Sequence, residues 1–197
     1  MVTERIELPA AGRKTPLSHR LLGTIGIIGA PMLFISGFFY TLGDGRYAWV
    51  ASVLGMLYLV GWAASASAMR RLRVTGAGPL AQTVFVVQLI GLSLALVNNV
   101  LEMAHADPDT LIFHVTDIAW PASHVFMLVV GALVLATRAW RGWRAWTPIL
   151  CGLVLPLFYG AVALAGWDMA RSIFTPMTAV AFALLGYAVR TSARDAV

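Results

Sequence analysis

Six long runs of apolar residues dominate the chain, and short polar segments separate them. The runs cover residues 21–42, 47–69, 79–103, 117–137, 147–166 and 170–189. Each is long enough to cross the hydrocarbon core of a bilayer, roughly 30 Å thick, as an α-helix. Because the runs are continuously apolar instead of alternating, helices are favoured over the strands of a membrane barrel. The pattern predicts an all-α polytopic membrane protein built as a bundle of six transmembrane helices.

The composition agrees with this fold class. Of the 197 residues, 59% are hydrophobic and 12% are charged, which is far from the balance of a water-soluble domain. The six runs use most of the length, so we expect one transmembrane domain over 21–190, with cytoplasmic tails at 1–20 and 191–197. The first run is longer than the apolar core of a signal peptide, and no clear small-residue cleavage site follows it. We therefore expect it to be a retained helix.

The basic residues predict how the bundle is oriented. Twelve of the fourteen lie in the two tails and in the segments after the second and fourth runs, whereas the alternate segments hold Arg46 and Arg171. Six of the nine acidic residues lie on or beside those alternate segments. Because loops rich in lysine and arginine stay on the cytoplasmic side during insertion, we expect both termini to be cytoplasmic, in an inner or plasma cell membrane.

The third run carries a polar stripe. Gln88, Leu92, Ala95, Asn99 and Glu102 follow one another at steps of four, three, four and three residues, which places them along one helix face. Lipid cannot satisfy an amide or a carboxylate. We therefore expect this face to turn toward the interior of the bundle or toward a wet cavity.

The fourth run places Asp117 and His124 seven residues apart on one helix face, with Trp120 between them. At the helical rise of about 1.5 Å per residue, His124 lies roughly 10 Å deeper than Asp117. Burial of a polar side chain at membrane depth is costly, and it usually has a functional reason. His124 is therefore a candidate site residue within the membrane.

The start of the sixth run carries a third stripe, made by Asp168, Arg171, Thr175 and Thr178. If the three stripes converge, they line a funnel that opens to the outside. Its rim is then formed by the polar residues near the same surface, which are Asp44, Arg46, His105, Asp107 and His114. The alternative interpretation is that each helix merely ends in soluble charge, with Asp168 paired with Arg171.

We expect such a funnel to bind or transform a lipid-like or amphipathic small molecule. The candidate catalytic residues are Glu102, Asp117 and His124, because an acid or imidazole desolvated near tryptophan can exchange a proton with an apolar substrate. The candidate substrate-binding residues are Asn99, Trp120, Asp168 and Arg171, with the arginine expected to hold an anion in a position set by Asp168. Residue types alone leave open whether the protein is an enzyme.

A metal centre is the sharpest alternative use of these residues. Glu102 and His105 have the Glu-x-x-His spacing that lets two ligands share a helix face, and His114 and Asp117 follow closely. However, one such pair occurs, and it straddles a predicted helix end. Haem ligation needs a second imidazole at the depth of His124, and none is evident. We therefore assign no metal and no other cofactor.

Two other functions are compatible with the same pattern. One is a proton-coupled transporter that uses Glu102, Asp117 and His124 as its proton path. The other is an accessory or scaffold subunit, or a homo-oligomer, in which the small-residue faces of the first two helices pack against a partner chain.

The basic segment after the fourth run interleaves tryptophan with arginine between positions 138 and 146. This arrangement is typical of an interface anchor that contacts lipid phosphate. We therefore expect the lipid bilayer as a partner and no nucleic acid.

Overall fold

The computed structural model describes residues 18–41 and 46–192. Within these ranges the chain forms α-helices and no strands. The helices are α1 (His19–Gly29), α2 (Met32–Thr41), α3 (Ala48–Arg71), α4 (Pro79–Met103), α5 (Leu111–Thr137), α6 (Trp143–Ala165) and α7 (Trp167–Ser192). Together α1 and α2 make the first span, so six helical spans are long and apolar enough to cross a membrane. The prediction of an all-helical bundle with six spans is confirmed.

The predicted bounds hold best where the start and stop signals are clear. The third span begins and ends at the predicted residues, with Pro79 in its first turn. The fourth begins six residues earlier than predicted, because the side chain of Thr110 accepts a hydrogen bond from the backbone N–H of Phe113 and caps the helix there. The predicted end of the first run at residue 42 lies outside the described residues. So do residues 1–17 of the predicted tail 1–20 and residues 193–197 of the predicted tail 191–197.

The first span is broken at Pro31. Ala30 and Pro31 form a turn between α1 and α2, because proline has no backbone N–H and its ring obstructs the preceding helical turn. The break lets the two halves pack differently. Helix α1 lies against both α3 and α7, whereas α2 packs mainly against α3 and less against α7. This leaves space beside α2 at one end of the bundle.

The six spans form a closed ring. Each packs against its neighbours in the sequence, and α7 packs against α1 to complete the circle. Helices α3 and α7 also touch across the interior, where Trp62 and Phe182 lie with ring centroids 4.7 Å apart. The interior is therefore filled by aromatic side chains where these helices meet.

Glycines allow α1 to lie very close to its neighbours. A Cβ atom on Gly29 would lie 2.8 Å from the Cα of Gly61 in α3, and one on Gly23 would lie 2.6 Å from the carbonyl oxygen of Gly186 in α7. Backbones at this separation leave no room for a side chain. The small-residue faces of the first two spans are therefore used inside the chain, which corrects the expectation that they are available to a partner.

The two ends of the bundle differ in charge. Successive spans are joined by short connections, so they alternate in direction. Among the described residues, eight arginines lie at the end where α3 stops and α4 begins, which we call the basic end. The five described acidic side chains lie at or near the opposite end, which we call the acidic end, together with Arg46 and Arg171.

Candidate functional site

A cavity of about 350 Å³ lies inside the acidic half of the ring, between α2, α5, α6 and α7. We call it the aromatic chamber. Its wall is largely apolar, and the residues that define it are Ser36, Trp120, His124, Phe158, Arg171 and Phe174. Two exposed aromatic residues, Tyr159 and Trp167, also line it. The chamber thus combines apolar walls with one guanidinium and one imidazole.

A second cavity of about 250 Å³ lies on the other side of α2, between α2, α3, α4 and α5. We call it the acidic chamber, because Glu102 and Asp117 both line it together with the amides of Asn98 and Asn99. Trp120 lines both chambers, as do two residues of α2. The two cavities therefore share a wall.

A third cavity, of about 250 Å³, lies between α2 and α7, where the break at Pro31 lets α2 lean toward α3. Asp168, Arg171, Ser172 and Thr175 line it. We call it the side pocket. Because Arg171 and Thr175 also line the aromatic chamber, the guanidinium lies at the junction of the two cavities.

All seven predicted site residues line cavities in the acidic half, but they do not share one funnel. Asn99, Glu102 and Asp117 line the acidic chamber, whereas His124 and Arg171 line the aromatic chamber. Trp120 stands between them, and Asp168 lines the side pocket. The single funnel was wrong because helix periodicity gives the face of each side chain but not the position of α2, which enters the ring and divides the space.

His124 is held in one orientation by two hydrogen bonds. Its Nδ1 lies 3.2 Å from the backbone oxygen of Trp120, and its Nε2 lies 3.2 Å from the hydroxyl of Tyr58. A carbonyl oxygen only accepts, so Nδ1 carries the hydrogen. In a neutral imidazole Nε2 is then the acceptor, and Tyr58 donates to it.

Aromatic rings surround this pair. The ring centroids of Trp62, Trp120 and Phe182 lie 4.6, 4.7 and 5.6 Å from that of His124, and the histidine side chain is 1% exposed. Each of these three rings presents an edge-to-face geometry to the imidazole. Packing therefore fixes the imidazole between the two chambers.

The acidic chamber is built on a hydrogen-bond network that ties three helices together. Ser52 of α3 donates to one oxygen of Glu102 at 3.4 Å, and Asn98 of α4 lies 3.5 Å from the other. The side-chain oxygen of Asn98 accepts from Thr116 of α5 at 3.0 Å. The amide of Asn99 instead donates to the backbone oxygen of Ala95 one turn earlier in its own helix. Its oxygen is left facing α3 beside Gly55.

Arg171 is anchored by the backbone of α2. Its guanidinium donates to the carbonyl oxygen of Gly37, and its side chain is half-buried. Within the part of the chain that the structure describes, Asp168 makes no ion pair with it, so the expected pairing and the expected positioning role of Asp168 are wrong. A carbonyl does not neutralise the guanidinium, which keeps its positive charge facing two cavities.

The Glu-x-x-His pair does not form a ligand set. Helix α4 ends at Met103, and His105 follows in the left-handed conformation with φ 52°. Two ligands at this spacing share a face only on a continuous helix. Within residues 18–41 and 46–192 no three metal-ligating side chains converge. Of the predicted rim residues, Arg46, His105, Asp107 and His114 are exposed, and Asp44 lies outside the described residues.

Sequence reasoning missed several residues of the site, namely Ser36, Ser52, Tyr58, Trp62, Asn98 and Thr116. A signal for three of them was present. Asn98 follows Ala95 by three residues and precedes Glu102 by four, so it shares their face. Tyr58 and Trp62 lie four residues apart inside an apolar run, and both carry a polar group that a bilayer cannot satisfy.

The comparisons with known proteins add no assignment to this geometry. No protein-family model matches the chain, and no curated protein or solved structure gives a significant match. The functional proposal therefore depends on the described site.

Proposed function

We propose that this chain is a cell-membrane protein with both termini in the cytoplasm, and that its aromatic chamber binds a lipid-like small molecule with an anionic head group. The observation that carries the proposal is the position of Arg171, whose guanidinium faces a largely apolar cavity of about 350 Å³. This volume lies within the range of about 300–1,000 Å³ typical of small-molecule sites.

The orientation is supported by the charge asymmetry of the described helices. Eight arginines lie at the basic end, and short loops of this composition remain cytoplasmic during insertion. The acidic end then faces outward. With it, the aromatic chamber and the side pocket face the outer half of the bilayer, where an amphiphile can enter between α2 and α7.

The ligand chemistry follows from the lining. Guanidinium groups recognise carboxylates and phosphates through paired N–H donors, and Arg171 uses one donor on Gly37 while others remain for a ligand. Phe158 and Phe174 offer apolar faces for the body of the molecule. A molecule with an anionic head group at Arg171 and an apolar body directed toward His124 therefore fits the aromatic chamber.

The remaining candidate residues take roles consistent with this placement. In a reaction, His124 is the imidazole in the chamber wall, and it exchanges a proton through Nε2, the atom that accepts the hydrogen bond from Tyr58. Glu102 and Asp117 serve as acids or bases in the acidic chamber. The side-chain amide of Asn99 orients a polar group of the molecule that is bound there. Trp120 forms part of the wall on both sides, and Asp168 lines the entrance at the side pocket.

A cysteine-protection experiment tests the binding proposal, with decanoate as the probe. Cys151, the single cysteine, is replaced by alanine, and Thr175→Cys is introduced in the chamber wall. The matched control is Ile173→Cys, two residues away on the same helix and exposed on the outside. Decanoate is expected to slow maleimide labelling at position 175 and not at 173. Equal protection at both positions, or none at either, contradicts the proposal.

Proton-coupled transport is a second candidate, favoured by the hydrogen bond from Tyr58 to His124. Tyr58 lines the acidic chamber and His124 lines the aromatic chamber, so a proton can pass between them through this pair. Proteoliposomes with an internal pH dye discriminate the two functions. A transporter shows decanoate uptake and proton movement faster than in protein-free liposomes, which undissociated decanoic acid crosses unaided, and His124→Phe abolishes this excess; a binding protein shows no excess.

A further inference from the structure

A large cavity lies at the basic end, far from the chambers described above. It has a volume of about 530 Å³ and lies where α3 ends, α4 begins and the turn at 72–78 connects them. We call it the basic groove, and the residues that define it are Ser67, Arg70, Arg71, Arg73, Gln82 and Leu89. Three of these six side chains are guanidinium groups, and no carboxylate is among the described residues that line the groove.

The backbone that presents these arginines is well anchored. Nε of Arg70 donates to the side-chain oxygen of Gln82 at 3.2 Å, which joins α3 to α4 across the groove. The hydroxyl of Thr75 donates to the backbone oxygen of Ala81 at 3.2 Å, and Thr137 of α5 donates to that of Val74 at 2.7 Å. The turn is thus held to α4 by its own Thr75 and to α5 by Thr137. The backbone from which Arg70, Arg71 and Arg73 extend is therefore fixed, and their side chains are exposed.

The groove continues onto the outer surface of the bundle. Ser67 follows Val60 by seven residues on one face of α3, and Val60 is 46% exposed. On α4, Leu89 of the groove lies beside Val86 and Ile90, which are 38% and 56% exposed. These apolar side chains are exposed on the outside of helices that are long and apolar enough to cross a membrane. The seam between α3 and α4 therefore leads from the arginines into the hydrocarbon region.

We propose that the basic groove binds the phosphate of an anionic phospholipid whose acyl chains lie along the seam between α3 and α4. Guanidinium groups pair with phosphate through two parallel N–H donors, and basic pockets between transmembrane helices suit such head groups. The apolar continuation of the groove selects a lipid over free phosphate, which has no apolar part to place against Val60 or Val86. The site is at the opposite end from the aromatic chamber and does not depend on the function proposed there.

The test measures lipid binding to the detergent-solubilised full chain by native mass spectrometry. The probes are dioleoyl phosphatidylglycerol, which is anionic, and dioleoyl phosphatidylcholine, which is zwitterionic. The wild type is expected to retain the anionic lipid with the higher affinity. Arg70→Gln/Arg73→Gln is expected to weaken that affinity by about tenfold or more, as the loss of charge-assisted bonds predicts.

The matched control is Arg141→Gln/Arg190→Gln. It removes two exposed arginines from the same end of the bundle, but on the opposite side of the ring, among α5, α6 and α7. It is expected to bind the anionic lipid as the wild type does. An equal loss in both double variants would mean that the lipid responds only to the overall charge of this end, and it overturns the proposal.

Two further arms separate the remaining outcomes. Arg70→Lys/Arg73→Lys keeps the charge and removes the paired donors, so it is expected to bind with an affinity between those of the wild type and the glutamine variant. The elution profile shows whether the glutamine variant folds. If it does not, the lysine variant is the test of the proposal, and wild-type affinity for the anionic lipid in that variant contradicts it. Displacement of the lipid by an equal concentration of inorganic phosphate also overturns the lipid assignment.

Discussion

The hydroxyl of Tyr58 lies 3.2 Å from Nε2 of His124, and this hydrogen bond crosses the interior of the ring between helices that are not neighbours in it. Tyr58 comes from α3 and His124 from α5, with α4 between them on the outside. The pair is also the point where the acidic and aromatic chambers approach each other. This hydrogen bond therefore belongs both to the packing of the bundle and to the candidate site. Its removal is expected to change the stability of the protein and the geometry of the site.

Replacement of Tyr58 by phenylalanine tests this link. Tyr58→Phe removes the donor and leaves Nε2 of His124 buried without a partner, which is expected to lower the free energy of unfolding by about 1–3 kcal/mol. Tyr187→Phe is the control, because Tyr187 is exposed and stacks on Trp143 at the basic end. Denaturation in mixed micelles measures both. Equal stability of the two variants would show that the Tyr58 hydrogen bond contributes nothing.

The close approach of α1 to its neighbours predicts which glycines are essential. Gly61→Ala places a Cβ atom 2.9 Å from the Cα of Gly29, so the helices must move apart. Overpacking of this kind is expected to cost about 1–3 kcal/mol. Gly160→Ala, where the added Cβ meets nothing within 4 Å, is the control and is expected to be neutral. The same micelle denaturation separates the two, and a neutral Gly61→Ala contradicts the packing described here.

The buried amide of Gln88 is a site where a substitution is expected to stabilise the protein. Its side chain is 1% exposed in the middle of α4, and neither amide atom has a hydrogen-bond partner among the described residues. Gln88→Met keeps a similar volume and removes the unsatisfied polar group, so the free energy of unfolding is expected to rise by about 1–3 kcal/mol. Gln82→Met, which loses the bond to Arg70, is expected not to gain stability. A destabilised Gln88→Met would mean that the amide has a partner, such as an ordered water.

The orientation of the bundle is open to a direct measurement. In a Cys151→Ala background, Asp109→Cys places a thiol at the exposed acidic end and Arg141→Cys places one at the exposed basic end. The positive-inside rule predicts that a membrane-impermeant maleimide labels position 109 in intact cells and position 141 only after permeabilisation. The reverse pattern would invert the proposed topology and place the aromatic chamber on the cytoplasmic side.

The sequence predicts the spans well, because hydrocarbon thickness and backbone satisfaction constrain membrane helices strongly. It also predicts that the stripe from Gln88 to Glu102 faces the interior, and this is confirmed, since Gln88, Leu92 and Ala95 are all buried. The start of α5 was predicted too late. The polar residues Asp109 and His114 resemble a loop, whereas the cap at Thr110 shows that His114 belongs to the helix.

The division of the site into separate cavities could not be predicted from the sequence. The position of α2 depends on the direction in which the chain continues after the break at Pro31. Packing of Gly29 against Gly61 sets this direction, and the residues next to the proline do not reveal it. The hydrogen-bond partner of Arg171 is a backbone carbonyl of α2. Every residue has such a carbonyl, so a sequence pattern does not show which one accepts from the arginine. The nearest carboxylate along the helix, Asp168, was therefore the wrong expectation.

If Arg171 holds the anionic head of a ligand in the aromatic chamber, equilibrium binding of radiolabelled decanoate to the purified protein must depend on this guanidinium. Arg171→Gln is compared with Arg46→Gln, which removes an exposed arginine from the same end of the bundle outside the chamber. Arg171→Gln is expected to weaken binding by about tenfold or more, whereas Arg46→Gln is expected to bind as the wild type does. Unchanged binding in Arg171→Gln, or an equal loss in both variants, contradicts the proposal.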